Sequence, residues 1–172
     1  VANSTSVAET AMLLMLECSR NVIELRKIWV QDYYKAKLKT RKTTVNGKTV
    51  GIIGCGNIGS RLAVRALGME MNVLAYDPYK KADEFPEGVE VVRDLDRIFK
   101  ESDYVSLHVP NTPITRGMVN KERLEMMKPT AFLINTARGG CVVEQDLYEA
   151  CKNKTIAGAG LDAIQKEPVD PA

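Results

Sequence analysis

A chain of 172 residues falls within the size of one ordinary domain and is long enough to bury a sizeable core. With 45% hydrophobic and 27% charged residues and a formal net charge of +2, it has neither the composition of a disordered segment nor a charge excess that would draw it to nucleic acid or a membrane surface. The cysteines Cys18, Cys55, Cys141 and Cys151 form no Cys-x-x-Cys pair and have no metal-like spacing with the single histidine, His108, so no metal site is expected and the thiols are read as reduced, in a cytoplasmic protein.

Residues 6 to about 28 read as one long helix, opened by the capping box Ser6-x-x-Glu9. Its apolar positions, among them Val7, Ala11, Leu13, Leu14, Leu16, Val22, Ile23 and Leu25, occupy most of the circumference. So wide a stripe exceeds what one side of a small sheet covers, which points to a partner subunit or another domain; a helix wrapped within its own domain is the alternative. The apolar run 11–16 is stopped by Glu17, far short of a membrane span, and lacks the basic start of a signal peptide. Val1 in place of an initiator methionine, and a last residue soon after a strand, read as the ends of an excised piece.

From Arg26 to Lys48 the chain is basic, with Trp29, Tyr33 and Tyr34 interleaved. Stacking aromatics beside cations can hold a single-stranded nucleic acid, but a solvated connector explains the same residues and is the reading adopted. Asn46-Gly47 is a turn signal that delivers the chain into a first strand.

That strand runs into Gly54-x-Gly56-x-x-Gly59, and an amphipathic helix over 60–69 follows. In the order strand, turn, helix, Gly54 permits the tight turn, Gly56 lets backbone approach a pyrophosphate, and Gly59 allows close helix packing, with the anion at the helix N-terminus. A second strand over 72–76 ends in Asp77, 18 residues after Gly59, near where an acid meets the ribose hydroxyls of a dinucleotide. Pro78 ends that strand. Lys80 and Lys81 raise the question of a 2′-phosphate, but an acid at 77 repels one, so NAD is favoured over NADP.

Beyond it, a short strand is expected at 89–92, a helix at 94–100, a buried strand at 104–109, a helix at 120–127, a buried strand at 131–135, a helix at 144–152 and a small-residue strand at 156–161, ending in Asp162. Together these predict a doubly wound, Rossmann-type α/β fold: a mainly parallel sheet with helices on both faces, plus the N-terminal helix. His108, at a strand's carboxyl end, is tempting as a proton donor; the plainer reading is a polar strand-end residue whose neighbouring backbone lines the cofactor. Arg138, after the strand 131–135 and before Gly139-Gly140, can hold its planar fork over the ligand crevice and grip a carboxylate.

Taken together the motifs resemble the D-isomer-specific 2-hydroxyacid dehydrogenase family, in particular its phosphoglycerate dehydrogenase-like branch. They are Ser6-Val-Ala-Glu9, the segment Gly47 to Gly59, Tyr76-Asp-Pro78, Leu107-His-Val-Pro110, Thr115-Arg-Gly117, Met127-Lys-Pro129, Leu133-Ile-Asn-Thr-Ala-Arg-Gly-Gly140, Ile156-Ala-Gly158, Leu161-Asp162 and Glu167-Pro168. The resemblance implies that residues 1–172 are the NAD-binding domain of a protein whose substrate domain lies on either side of it, with 1–28 a dimer-forming element of a homodimer. It implies a small 2-hydroxy or 2-oxo acid substrate and no nucleic-acid or membrane partner. Arg138 and Glu167 take the catalytic positions, Arg138 on the substrate carboxylate and Glu167 pairing with a histidine that lies beyond it. Asn57 and Ile58 meet the pyrophosphate, Asp77 the ribose, Val109 and Pro110 the adenine side, and Thr136, Ala137, Arg138 and Asp162 the nicotinamide half. Pro78, His108 and Thr115 stand at cofactor-lining positions of the same motifs. Thr10 and Val143 depart from the family pattern, which has a histidine and an acid there. An NAD-responsive dimerising module of the corepressor type is the alternative function.

Overall fold

Along the first strand Val50 and Ile52 point into one apolar cluster and Ile53 into another, which is the signature of a sheet buried on both faces. The computed structural model describes residues 3–32, 34 and 43–166. Strands β1 Thr49–Ile53, β2 Asn72–Tyr76, β3 Glu90–Val91, β4 Tyr104–Leu107, β5 Phe132–Asn135 and β6 Gly158–Leu161 form one parallel sheet in the order β3-β2-β1-β4-β5-β6. Helices α1 Ser4–Arg20 and α3 Asn57–Gly68 pack on one face; α4 Leu95–Glu101, α5 Lys121–Met126 and α6 Glu144–Lys152 pack on the other. The chain winds outward from β1 through β2 to β3, then returns to the other side of β1 at β4. The carboxyl ends of β1 and β4 therefore diverge into a crevice, the ligand position of such sheets.

The expected fold class is borne out, and the helix starts are where local chemistry puts them. Asp94 caps α4 by accepting from the Asp96 N–H at 3.0 Å, and Asn120 caps α5 through the Arg123 N–H at 3.1 Å. The expected turn forms at Asn46-Gly47, with Gly47 at φ +70°.

The N-terminal helix differs from its expectation in three ways. Asn21 adopts φ 49°, ψ 49°, a left-handed conformation that asparagine tolerates, and it divides the expected single helix into α1 and α2 Val22–Gln31. The capping box does not form: α1 starts at Ser4, Ser6 Oγ donates to Asn3 Oδ1 at 2.7 Å, and Glu9 instead reaches across to Arg65 of α3 at 3.1 Å. Part of the apolar stripe is also covered from within. Ala8, Ala11, Met12 and Met15 are buried against α3 and the sheet, and the small residues of β6 make this possible, since a Cβ at Gly160 would lie 2.9 Å from Leu14 Cβ. Leu13, Val22 and Ile23 remain 56%, 42% and 63% exposed. Of the basic stretch, residues 33 and 35–42 lie outside the described residues.

Candidate functional site

The glycine turn is shaped by two close approaches. Gly54 sits at φ +88° with its carbon frame against the His108 carbonyl, and a Cβ at Gly59 would overlap the carbonyl oxygen of Gly54. No such obstacle exists at Gly56, where a Cβ would meet nothing within 4 Å. Gly56 is the N-cap of α3, no side chain caps that end, and no acid stands in its first turn. The first-turn amides, without a side-chain cap among the described residues, and the helix dipole leave an anion-receiving space beside the turn.

Asp77 faces this space from the end of β2. Its Oδ2 accepts from the Cys55 N–H and its Oδ1 from the Tyr79 N–H, both at 3.0 Å. Two backbone donors hold the carboxylate beside the turn with lone pairs to spare for further donors. Pro78 and Tyr79 follow it, exposed.

At the end of β4 the His108 N–H continues the ladder to Ile53 O at 2.8 Å. Its ring turns inward, Nε2 lying 2.9 Å from Ser106 Oγ, while Nδ1 is buried with no hydrogen-bond partner among the described residues. Burial pushes its pKa from 6.5 down to about 4, so the imidazole is neutral at pH 7 and holds no proton of the kind an acid donates. Val109 packs beside Gly54, and Pro110 is exposed with its carbonyl bound by Thr115 Oγ1, which also accepts from the Thr112 N–H at 2.8 Å.

Asn135 organises the end of β5. Its Oδ1 accepts from the Ala137 N–H at 3.1 Å, and its Nδ2 donates to the carbonyls of Arg138 at 3.1 Å and Ala163 at 3.4 Å. Sequence reading passed over Asn135 as a site residue, because nothing local announces that one buried carboxamide ties the loop after β5 to the segment after β6. Arg138 is exposed, its Nη1 resting on the Ala137 carbonyl at 2.6 Å. Thr136 Oγ1 is buried without a partner among the described residues. Arg138 and Thr136 line a cleft of about 540 Å³ with Val7, Asn111, Asp162 and Gln165. Asp162 is exposed in this cleft, its N–H tied to Asn135 O at 2.9 Å. Glu167 lies outside the described residues.

The structure thus gathers Gly54, Gly56, Asn57, Ile58, Gly59, Asp77 and Pro78 around one end of the crevice, and Thr136, Ala137, Arg138 and Asp162 around the other, with His108 to Thr115 between them. The open space over Gly56, the uncapped α3 and the orphaned Thr136 hydroxyl suit a long ligand that is anionic at its centre and polar at its far end, as NAD is. A larger cavity, about 880 Å³, opens at the amino ends of β4 to β6 beside α1 and α2, and none of these residues lines it. All four cysteines are free, and no group of three or more His, Cys, Asp or Glu among the described residues could hold a metal ion. No helix among the described residues is long and apolar enough to cross a membrane.

Comparison with known proteins identifies the family. Residues 12–172 match the D-isomer specific 2-hydroxyacid dehydrogenase, NAD binding domain, family. The chain is 44% identical over 167 residues to a hydroxypyruvate reductase of Thermotoga maritima, covering 97% of this chain and 53% of that protein. It is 40% identical over 169 residues to a D-3-phosphoglycerate dehydrogenase of Methanocaldococcus jannaschii, covering 97% and 32%. The NAD-complexed D-isomer specific 2-hydroxyacid dehydrogenase of Lactobacillus delbrueckii ssp. bulgaricus superposes with a TM-score of 0.86 at 34% identity, over 95% of this chain and 50% of that one. The chain therefore spans about half the length of the first of these relatives and a third of the second. It belongs to the D-isomer-specific 2-hydroxyacid dehydrogenase family, as its NAD-binding domain.

Proposed function

We propose that residues 1–172 are the nucleotide domain of a cytoplasmic oxidoreductase that moves a hydride between NAD(H) and a small 2-hydroxy or 2-oxo acid of the 3-phosphoglycerate, hydroxypyruvate or glyoxylate class. The observation that carries this reading is the Asp77 carboxylate held against the glycine turn, with Arg138 at the far end of the same crevice. The greater length of the relatives supports a second, substrate-binding domain in the whole protein. Four free thiols suit a reducing compartment.

In this reading the first amides of α3, at Asn57 and Ile58 after Gly56, bind the pyrophosphate, with Gly54 and Gly59 shaping the turn. Asp77, beside Pro78, accepts from the adenine-side ribose and repels a 2′-phosphate. Val109 and Pro110 flank the adenine side, His108 and Thr115 stand at cofactor-lining positions beside them, and Thr136, Ala137 and Asp162 line the nicotinamide end. Bound NAD supplies the hydride acceptor or donor. Arg138 swings from the Ala137 carbonyl to grip the substrate carboxylate with its two-pronged guanidinium, which fixes the reacting carbon against the cofactor. Glu167 orients and keeps basic the imidazole that exchanges the substrate proton, a histidine carried outside this chain.

Exposed Leu13, Val22 and Ile23, on either side of the Asn21 break, support a homodimer formed through α1 and α2. The same surface favours a second reading, an NAD-responsive dimerising module in which nucleotide drives assembly. Calorimetry on the chain should detect NADH binding without turnover of hydroxypyruvate, glyoxylate or 3-phosphoglycerate. Turnover by the chain alone would overturn the assignment of the proton carrier to another segment. Sedimentation that shifts from monomer to dimer only with NADH would favour the module.

A further inference from the structure

Lys80 stands three residues beyond Asp77, where a cation would ordinarily be read as a ligand for the 2′-phosphate of NADP. Its ammonium points elsewhere. Lys80 Nζ donates to the Cys55 carbonyl at 2.9 Å, lies 3.5 Å from Ser60 Oγ, and stands 5.3 Å from the Phe85 ring centroid. Cys55 is the residue between Gly54 and Gly56, and both of its backbone polar groups are held. Its N–H goes to Asp77 Oδ2, and its carbonyl accepts from Ser60 Oγ at 2.8 Å as well as from Lys80. Arg93 steadies the loop that carries Lys80, its Nη1 donating to the carbonyls of Asp77 at 3.2 Å and Lys80 at 3.1 Å.

A residue flanked by two glycines has a cheap route to other backbone conformations, so a turn of this kind is not rigid by itself. In a trans peptide the carbonyl and the following N–H point in opposite directions. Holding the Cys55 carbonyl therefore sets the direction of the Gly56 N–H, at the edge of the space where a pyrophosphate is received. A charge-assisted hydrogen bond, partly shielded by Phe85, is strong enough to keep that peptide from turning over.

We infer that Lys80 is a positioning residue of the nucleotide site: it grips the Cys55 carbonyl, holds the glycine turn in its pyrophosphate-receiving shape, and is thereby withheld from a 2′-phosphate. The inference rests on the nucleotide reading above and adds to it the source of the turn's rigidity. It is tested by calorimetric titration of the chain and of Lys80→Met and Lys80→Arg with NADH and with NADPH, beside thermal melts of the unliganded proteins. Lys80→Met should weaken NADH binding on the order of tenfold while the NADH to NADPH preference and the melting temperature stay near those of the parent. Lys80→Arg, which can reach the same carbonyl, should recover most of the loss. Equal NADH affinity in parent and Lys80→Met overturns the inference, as does a loss confined to NADPH, which would make Lys80 a phosphate ligand. If Lys80→Met does not fold, Ser60→Ala carries the test: removing the second donor to the Cys55 carbonyl must weaken NADH in the same direction, and no change overturns the clamp. A parent chain that binds no NADH overturns both readings; a parent that binds it beside an equally competent Lys80→Met overturns the clamp alone.

Discussion

The two ends of the crevice are built differently. At the glycine turn the polar side chains are already engaged: Asp77 by two backbone amides, and the Cys55 peptide groups by Asp77, Ser60 and Lys80. At the far end Arg138 lies exposed on its own neighbour's carbonyl and the buried Thr136 Oγ1 has no partner among the described residues; nor has the buried His108 Nδ1, on the stretch between the two ends. The β4–β5 register, Leu107 opposite Asn135, puts those two residues next to each other at the strand ends. A preorganised end binds with little ordering cost, whereas an end with unsatisfied groups gains its partners from what enters it. On the proposed reading, cofactor affinity is concentrated at the turn and the open end is left for the substrate.

The largest expected effect tests, through pH, the buried ring on the stretch between the two ends. In the unfolded chain the His108 imidazole takes its proton near 6.5, and in the folded chain only near 4. Between those values the unfolded chain holds more protons, so stability is fully present above pH 6.5 and falls as pH drops through the window, by at most about 3 kcal/mol. Urea unfolding at pH 7 and pH 4.5, with His108→Gln as the control that lacks the imidazole, measures it as the difference between the two proteins; an identical pH dependence in both would mean that the ring is not desolvated. Next in size, Asp77→Ala should weaken NADH by roughly ten- to a hundredfold, about 1.5–3 kcal/mol, through lost ribose acceptance and a loosened Cys55 amide. Calorimetry reads this directly, and a loss smaller than threefold would contradict a preorganised turn. The smallest effect sharpens the contrast. Arg138→Ala should leave NADH affinity within about twofold, because an exposed guanidinium adds little to binding until a carboxylate arrives. A tenfold loss there would show that both ends share the cofactor's binding energy.

Much of this was legible without coordinates, and the reason lies in which features are local. Strand, glycine spacing and helix over 49–69 announce the turn, apolar runs announce the buried strands, and Asp94 and Asn120 announce their helix starts within three residues of the groups they cap. The break at Asn21 was not legible, because the apolar periodicity runs through it and only the left-handed backbone dihedral records it. Nor was the partial cover of α1, which depends on Gly160 of a strand more than 140 residues away admitting Leu14.

By itself the sequence determined the fold class and the glycine turn of a nucleotide-binding domain, since each depends on residue type at short spacing. Only the tertiary structure decided that the sole histidine is neutral, that Lys80 serves the turn, and that Asn135 ties two loops together. Burial and hydrogen bonding between distant segments set these properties, and no short window of sequence contains both partners.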